Sequence, residues 1–223
     1  MTLTFLDLYN ECSGQPWSMF DNDAESVEDF ESAMKISINK AISYIWNCKP
    51  WSFRNSKRSF TTEPGVASYN HPDGILTKKV IGGSTKYGVK YNGKYLDYEP
   101  DFEMLDEATG KPESFYLDDE PVIYLYPTPD DRYDIDLTYL RAPFGVNEAG
   151  EDLYELKEDT DYIDIDEKYE SIFKNCVISL AMIYAIADES DENHSGYKRQ
   201  YDDAMSTLIE YCNSPINDKR ITW

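Results

Sequence analysis

The spacing of apolar residues changes twice along this chain, and those two changes constrain the fold more than anything else in it. Val27, Phe30, Met34, Ile38, Ala41, Ile42, Ile45 and Trp46 recur in steps of three and four, the spacing of one face of an α-helix. Ser26 stands before them as an N-cap, Glu28 and Asp29 place negative charge in the first turn, and Pro50 closes the segment. From residue 51 to residue 143 the period becomes two and β-branched and aromatic residues dominate, which predicts strands. Residues 172–187 are apolar on almost every side, as in a centrally buried helix; Tyr197, Tyr201, Ala204, Met205, Leu208, Ile209 and Cys212 then return to a single stripe. A polar turn at 188–196 makes these last two helices an antiparallel pair. The expected class is α+β. A helical body (residues 1–50 and 162–212) carries an inserted antiparallel β domain (51–143), an acidic connection (144–161) and a tail (213–223).

Two hairpins are expected in the β region. Asn92-Gly93 supplies the two positive-φ positions of a tight turn, pairing Tyr91 with Lys94, Val89 with Leu96 and Tyr87 with Tyr98. Residues 122–126 lead through a turn at 127–131 into a return strand at 133–140. There Tyr133, Ile135, Leu137 and Tyr139 face inward and Asp134, Asp136 and Thr138 outward.

Composition narrows the function. With 21 Lys and Arg against 43 Asp and Glu, the formal net charge is −22, the wrong sign for tight binding to a phosphate backbone. Arg54, Lys57 and Arg58 form a local basic group, read as an outward strand face that compensates acidic neighbours. Residues 1–14 have no basic n-region and no long apolar run occurs, so neither secretion nor membrane insertion is expected. Cys12, Cys48, Cys176 and Cys212 are too scattered for a zinc motif and read as reduced, mostly half-buried thiols of a protein assembled in cytoplasm.

The search for chemistry is largely negative. His71 and His194 fall in predicted loops, and neither GxSxG nor HExxH occurs. Residues 145–150 have P-loop glycine spacing, but Glu151 stands where the lysine would be, and residues 82–85 read as a strand connection. The acidic runs Asp21, Asp23, Glu25 and Asp188, Asp191, Glu192 lack the glycine and distal glutamate of a calcium loop. No catalytic residue, cofactor or metal is expected. A secreted or surface carbohydrate-binding module is one alternative, for the dense tyrosines, and an acidic-residue hydrolase is another.

The order of parts, with Tyr44-Ile45-Trp46, Pro50-Trp51-Ser52-Phe53 and Pro121-Val122-Ile123-Tyr124-Leu125-Tyr126-Pro127 leading into residues 133–143, resembles the head-to-tail adaptors of short-tailed bacteriophages, the tail tubular protein A-like family. The likeness covers roughly residues 3–212; the hairpin at 86–98 has no match in it. It implies a non-enzymatic virion protein at the portal-tail junction, assembled in the host cytoplasm. It also implies a homo-oligomeric ring of twelve copies, with the portal protein on the head side and a tail tube, nozzle or second ring protein on the tail side. DNA would pass through during ejection without tight binding, and no membrane is involved. Phe30, Met34, Ile38, Trp46, Leu180, Tyr201 and Leu208 are the expected packing residues of the ring-forming body. Ile216, Lys219, Arg220, Ile221 and Trp223 are the expected contacts to the portal or a neighbouring subunit, because Trp and Arg are enriched among residues that dominate binding.

Overall fold

A computed structural model describes residues 2–14, 27–76, 88–100, 108–118, 121–186 and 192–213. In chain order its elements are α1 (Phe5–Ser13), α2 (Val27–Asn47), a 3₁₀ turn (Ser52–Arg54), β1 (Asn55–Thr61), β2 (Ser68–Asn70), β3 (Gly74–Leu76) and β4 (Gly88–Tyr91). There follow β5 (Lys94–Tyr95), β6 (Asp97–Tyr98), β7 (Thr109–Gly110), β8 (Ser114–Leu117), β9 (Val122–Tyr126), β10 (Thr128–Pro129) and β11 (Asp134–Arg141). The chain ends with β12 (Gly145–Val146), β13 (Asp152–Leu153), β14 (Tyr162–Ile163), α3 (Glu167–Ala185) and α4 (Glu192–Asn213). Helices and antiparallel sheets together make an α+β fold. The chain divides into two compact units, Met1–Phe53 with Pro143–Trp223, and Arg54–Ala142.

In the first unit α3 is the central element, packed on α1, α2 and α4. Its buried residues Tyr169, Phe173, Cys176, Val177, Leu180, Ala181 and Met182 occur on several sides of the helix, so neighbours must cover it from more than one direction. Tyr169 at its start meets Tyr211 near the end of α4 edge-on at 5.5 Å, so the two helices run antiparallel. The stripe expected on α2 is the buried one, with Phe30, Met34, Ile38, Ala41, Ile42, Ile45 and Trp46 at 4% exposure or less. Trp46 is fully buried among Phe53 (5.5 Å), Phe173 (6.3 Å) and Phe144 (6.4 Å). Such ring pairs add about 0.5–1.5 kcal/mol each beyond area burial. Trp51 stacks on Phe53, and its indole N–H donates to the Ile45 carbonyl at 2.6 Å, which turns the chain back as α2 ends. The helix α4 begins at Glu192, so residues 193–196, including His194, are helical rather than part of a polar turn; burial of Tyr197 in the core supports a first turn that Gly196 alone would weaken.

The acidic stretch after residue 143 is more than a surface connection. β12 pairs with both β13 and β14, and Phe144, Leu156 and Ile163 enter the helical core. Asn39 of α2 holds this segment as a strand would: its amide donates to the Leu156 carbonyl and its oxygen accepts from the Leu156 N–H, both at 2.9 Å. The Asp161 carboxylate accepts from the Lys157 and Glu158 N–H groups (2.7 and 2.9 Å), while its carbonyl accepts from the Phe5 N–H at 2.8 Å. Those bonds anchor the start of α1, whose Thr4 and Asp7 form a reciprocal capping box.

The second unit has two larger sheets, β1-β11-β4-β5 with β3 also on β11, and β2-β9-β8-β6, and a short parallel pair of β7 with β10. Val89, Ile135 and Leu137 of one share a core with Phe115, Ile123 and Leu125 of the other. Strand β11 alternates as its sequence predicts, with Ile135, Leu137 and Tyr139 buried and Asp134 and Asp136 exposed. The Asn92-Gly93 turn has φ of 47° and 72°, Tyr91 pairs with Lys94, and the Leu96 N–H donates to the Val89 carbonyl. Beyond Leu96 the expected register stops: β6 leaves to pair in parallel with β8, bringing Tyr98 opposite Phe115. Tyr87 lies outside the described residues.

The second expected hairpin is not formed. β9 pairs with β2 and β8, and β11 with β1, β3 and β4, so residues 127–133 cross from one sheet to the other instead of turning back. Pro127 and Pro129 offer no N–H to a ladder there. Gly74 is required where β3 meets β11: its φ is +153°, and a Cβ would collide with the Leu140 carbonyl oxygen.

Candidate functional site

Phe30, Met34, Ile38, Trp46, Leu180 and Leu208 are buried, and Tyr201 is half-buried against them, all in the core of the helical unit. Their side chains are occupied within the subunit, so any part they play in an assembly is to hold the shape of the body. Ile216, Lys219, Arg220, Ile221 and Trp223 lie outside the described residues. So do residues 82–85, Asp21, Asp23, Glu25, Asp188, Asp191 and the side chain of Glu192.

Arg54, grouped above with Lys57 and Arg58 on an outward face, is instead buried at 6% exposure, and its Nε donates to the Arg141 carbonyl at 2.9 Å. Lys57 and Arg58 are exposed but consecutive on β1, so they point to opposite sides and do not join into a patch.

A cleft of about 660 Å³ lies between α1 and α3, lined in part by Asp7, Asn10, Glu11, Glu170 and Lys174. Asp7 is committed to the helix cap, and Lys174 reaches Glu11 at 2.7 Å. This arrangement has carboxylates but no nucleophile beside a base. His71 has Nδ1 2.8 Å from the Pro72 carbonyl, in the segment between β2 and β3. Burial pushes the Cys12 and Cys176 thiols up to about 12, with smaller contributions from Glu11 and Cys48 respectively, which keeps both protonated and unreactive. Among the described residues no cluster of His, Cys, Asp or Glu would hold a metal, and no helix is long and apolar enough to cross a membrane.

The family model of the SU10 adaptor protein matches residues 6–219, nearly the whole chain. The chain belongs to the SU10 adaptor protein family. No curated protein matches it. Membership makes it a phage structural adaptor, a class that is not normally enzymatic, and gives the carbohydrate-binding and hydrolase alternatives no support.

For an SU10 adaptor family member the surfaces that matter are those left uncovered. In the helical unit Leu6, Ile36, Tyr44, Tyr154 and Tyr184 are large apolar residues at 41–56% exposure. Tyr184 of α3 lies near enough to Tyr44 of α2 for that phenol to add to the upward pKa shift that burial gives it. Ile36 and Tyr44 escaped the sequence reading because it followed only the longer inward stripe of α2. Their i, i+8 spacing, with Lys40 between, marks a second, outward face of the same helix.

Proposed function

We propose that this adaptor is a subunit of a closed ring of twelve copies that joins the portal to the tail tube, nozzle or second ring protein and forms part of the conduit through which DNA leaves the head. The carrying observation is the family match over residues 6–219. The −22 charge supports the conduit: a wall that repels phosphate lets a duplex slide, whereas cationic contacts would hold it at each step. The helical body, residues 1–50 and 162–212, is the ring-forming part in this reading, because its deep core gives each copy a rigid shape against which a neighbour can close. Residues 213–223 dock on the portal or a neighbouring subunit through Ile216, Lys219, Arg220, Ile221 and Trp223.

Negative-stain imaging of virions and of the purified protein tests the ring. Rings beneath the portal that carry this chain are expected, and virions in which it lies elsewhere would contradict the proposal. Truncation of residues 215–223 is expected to leave the circular dichroism of the protein unchanged and to abolish attachment to portal-containing heads. The free protein is expected not to bind duplex DNA at physiological salt. Micromolar binding that weakens steeply with added salt would overturn the repelling conduit.

A further inference from the structure

Six of the 21 Lys and Arg residues, and none of the 43 Asp and Glu, fall in residues 32–62. This is the longest acid-free run in the chain; a shorter one, residues 74–96, belongs to the other unit, and its middle, residues 77–87, falls outside the described residues. Within the helical unit the run includes most of α2, whose inward half is core. Its outward half presents Ile36 at 50% exposure, Lys40, also exposed, and Tyr44 at 54%, spaced i, i+4, i+8, with exposed Cys48 and Lys49 just beyond. Tyr184 of α3, 44% exposed, widens the apolar part. Lys35 is already paired with Glu31 (2.9 Å) and Asp159 (3.4 Å), whereas Lys40 and Lys49 form no ion pair among the described residues.

We propose that this cationic and apolar face of α2, with Ile36, Lys40 and Tyr44 at its centre, Lys49 just past its end and Tyr184 beside it, is where an acidic surface of the next copy docks. The inference rests on the ring reading. Subunits of net charge −22 repel one another, and a closed ring brings each against two neighbours. A head-to-tail contact therefore needs a patch of opposite sign on one side of each subunit, facing the prevailing sign on the other. The outward face of α2 supplies the first. Exposed Asp202, Asp203 and Glu210 on α4 exemplify the second, on a helix that flanks α3 as α2 does. Duplex DNA fits this face poorly, because two cations nine residues apart release too few counterions to hold a backbone, and the aromatic surface between them has no use there.

The test uses Cys48 as a native probe in the full chain. In virions its alkylation by iodoacetamide is expected to be at least about tenfold slower than in the free protein, because reaction needs an accessible thiolate. Lys40→Glu with Lys49→Glu, and separately Tyr44→Ser, change exposed residues only. Both are expected to leave the circular dichroism unchanged and to cut incorporation into virions about tenfold or more, the first by the loss of close charge pairs and the second by the loss of an aromatic anchor, either being worth that much at an interface. Rings that carry the chain but leave Cys48 as reactive as in the free protein, or that accept both variants normally, would overturn the docking face and leave the ring standing. Virions without such rings would sink both. Retention of the free protein on duplex DNA, abolished by the Lys variant, would make this a nucleic-acid surface instead.

Discussion

The helical and β units of this adaptor solve the same packing problem differently. In the helical unit Trp46, Trp51, Phe53, Phe144, Tyr169 and Phe173 form one deep aromatic cluster around a central helix. In the β unit the core is mainly aliphatic, with Val89, Ile123, Leu125, Ile135 and Leu137, and its outer face is tied by polar cross-strand bonds such as Ser59 to Asp136 and Thr61 to Asp134, both at 2.7 Å. One unit therefore concentrates its stability in a few large side chains, while the other distributes it along ladders joining strands far apart in sequence. The tryptophans separate the two experimentally, because residues 54–142 contain none.

The largest effect is expected from Leu180→Asp. Leu180 is 6% exposed on α3, and a carboxylate there must either be protonated or force the helix pair apart. A loss of more than about 4 kcal/mol is expected in urea unfolding followed by tryptophan fluorescence, the range reserved for buried unpaired charge. A variant with the parent midpoint would contradict the central position of α3.

Leu137→Ala tests the other half of the comparison. Leu137 is 1% exposed and its strand pairs with both β1 and β4, so the cost should be about 2–5 kcal/mol. A tyrosine-detected midpoint that falls more than the tryptophan-detected one would show two cooperative units. Equal shifts would show that the molecule unfolds as one.

The same contrast explains what the sequence could reveal. The stripe from Phe30 to Trp46, the alternation of β11 and the Asn92-Gly93 turn depend on residues within a few positions of one another, and each is legible from spacing alone. Partner choice is not local. Nothing in residues 122–140 says that β9 and β11 belong to different sheets, because both alternate in the way either sheet requires. The acidic segment after residue 143 hid Leu156 and Ile163 because each lies close to charged residues, and Phe144 because it follows the Pro143 that ends the strand pattern; each enters the core singly, in a segment tied down by Asn39 and Asp161. Arg54 misled for the converse reason: a cation beside Lys57 and Arg58 in sequence is turned inward to a carbonyl. The candidate docking face was legible in the acid-free run, but only its exposure singles out Lys40, Tyr44 and Lys49.

Alkaline pH should distinguish the units more gently. All four cysteines lie in the helical unit, and burial raises Cys12 and Cys176 from 9.0 to about 12. A thiol whose folded pKa is raised contributes stability that is fully present below the unfolded value and lost as pH rises toward the folded one. The tryptophan-detected stability should therefore fall between about pH 9 and pH 12, by up to about 1.4 kcal/mol per pH unit for each thiol. At pH 8 in the free protein, exposed Cys48 should react with a thiol reagent well before Cys12 and Cys176, which should wait for unfolding. Reaction of all four at one rate would contradict the core placement of those two.

The smallest effect is expected at the cleft between α1 and α3, where Lys174 and Glu11 meet at 2.7 Å with side chains 30% and 52% exposed. Shortness suggests strength, but both groups are solvated and both side chains lose freedom when held together. Such pairs contribute about 0–1 kcal/mol and less as salt rises. Lys174→Met keeps most of the aliphatic stem that lies along α3 and removes only the charge. Its unfolding free energy in urea should match the parent's within about 1 kcal/mol, and the difference should vanish near 1 M salt, where screening acts within about 3 Å. A loss comparable to that of Leu137→Ala would mean that α1 is held to α3 by charge rather than by Phe5, Leu8 and Cys12. Those three residues are at 1% exposure or less, and their burial alone accounts for several kcal/mol at about 25 cal/mol per Å². The ion pair then serves to orient α1 over α3 and adds little to the free energy that keeps it there.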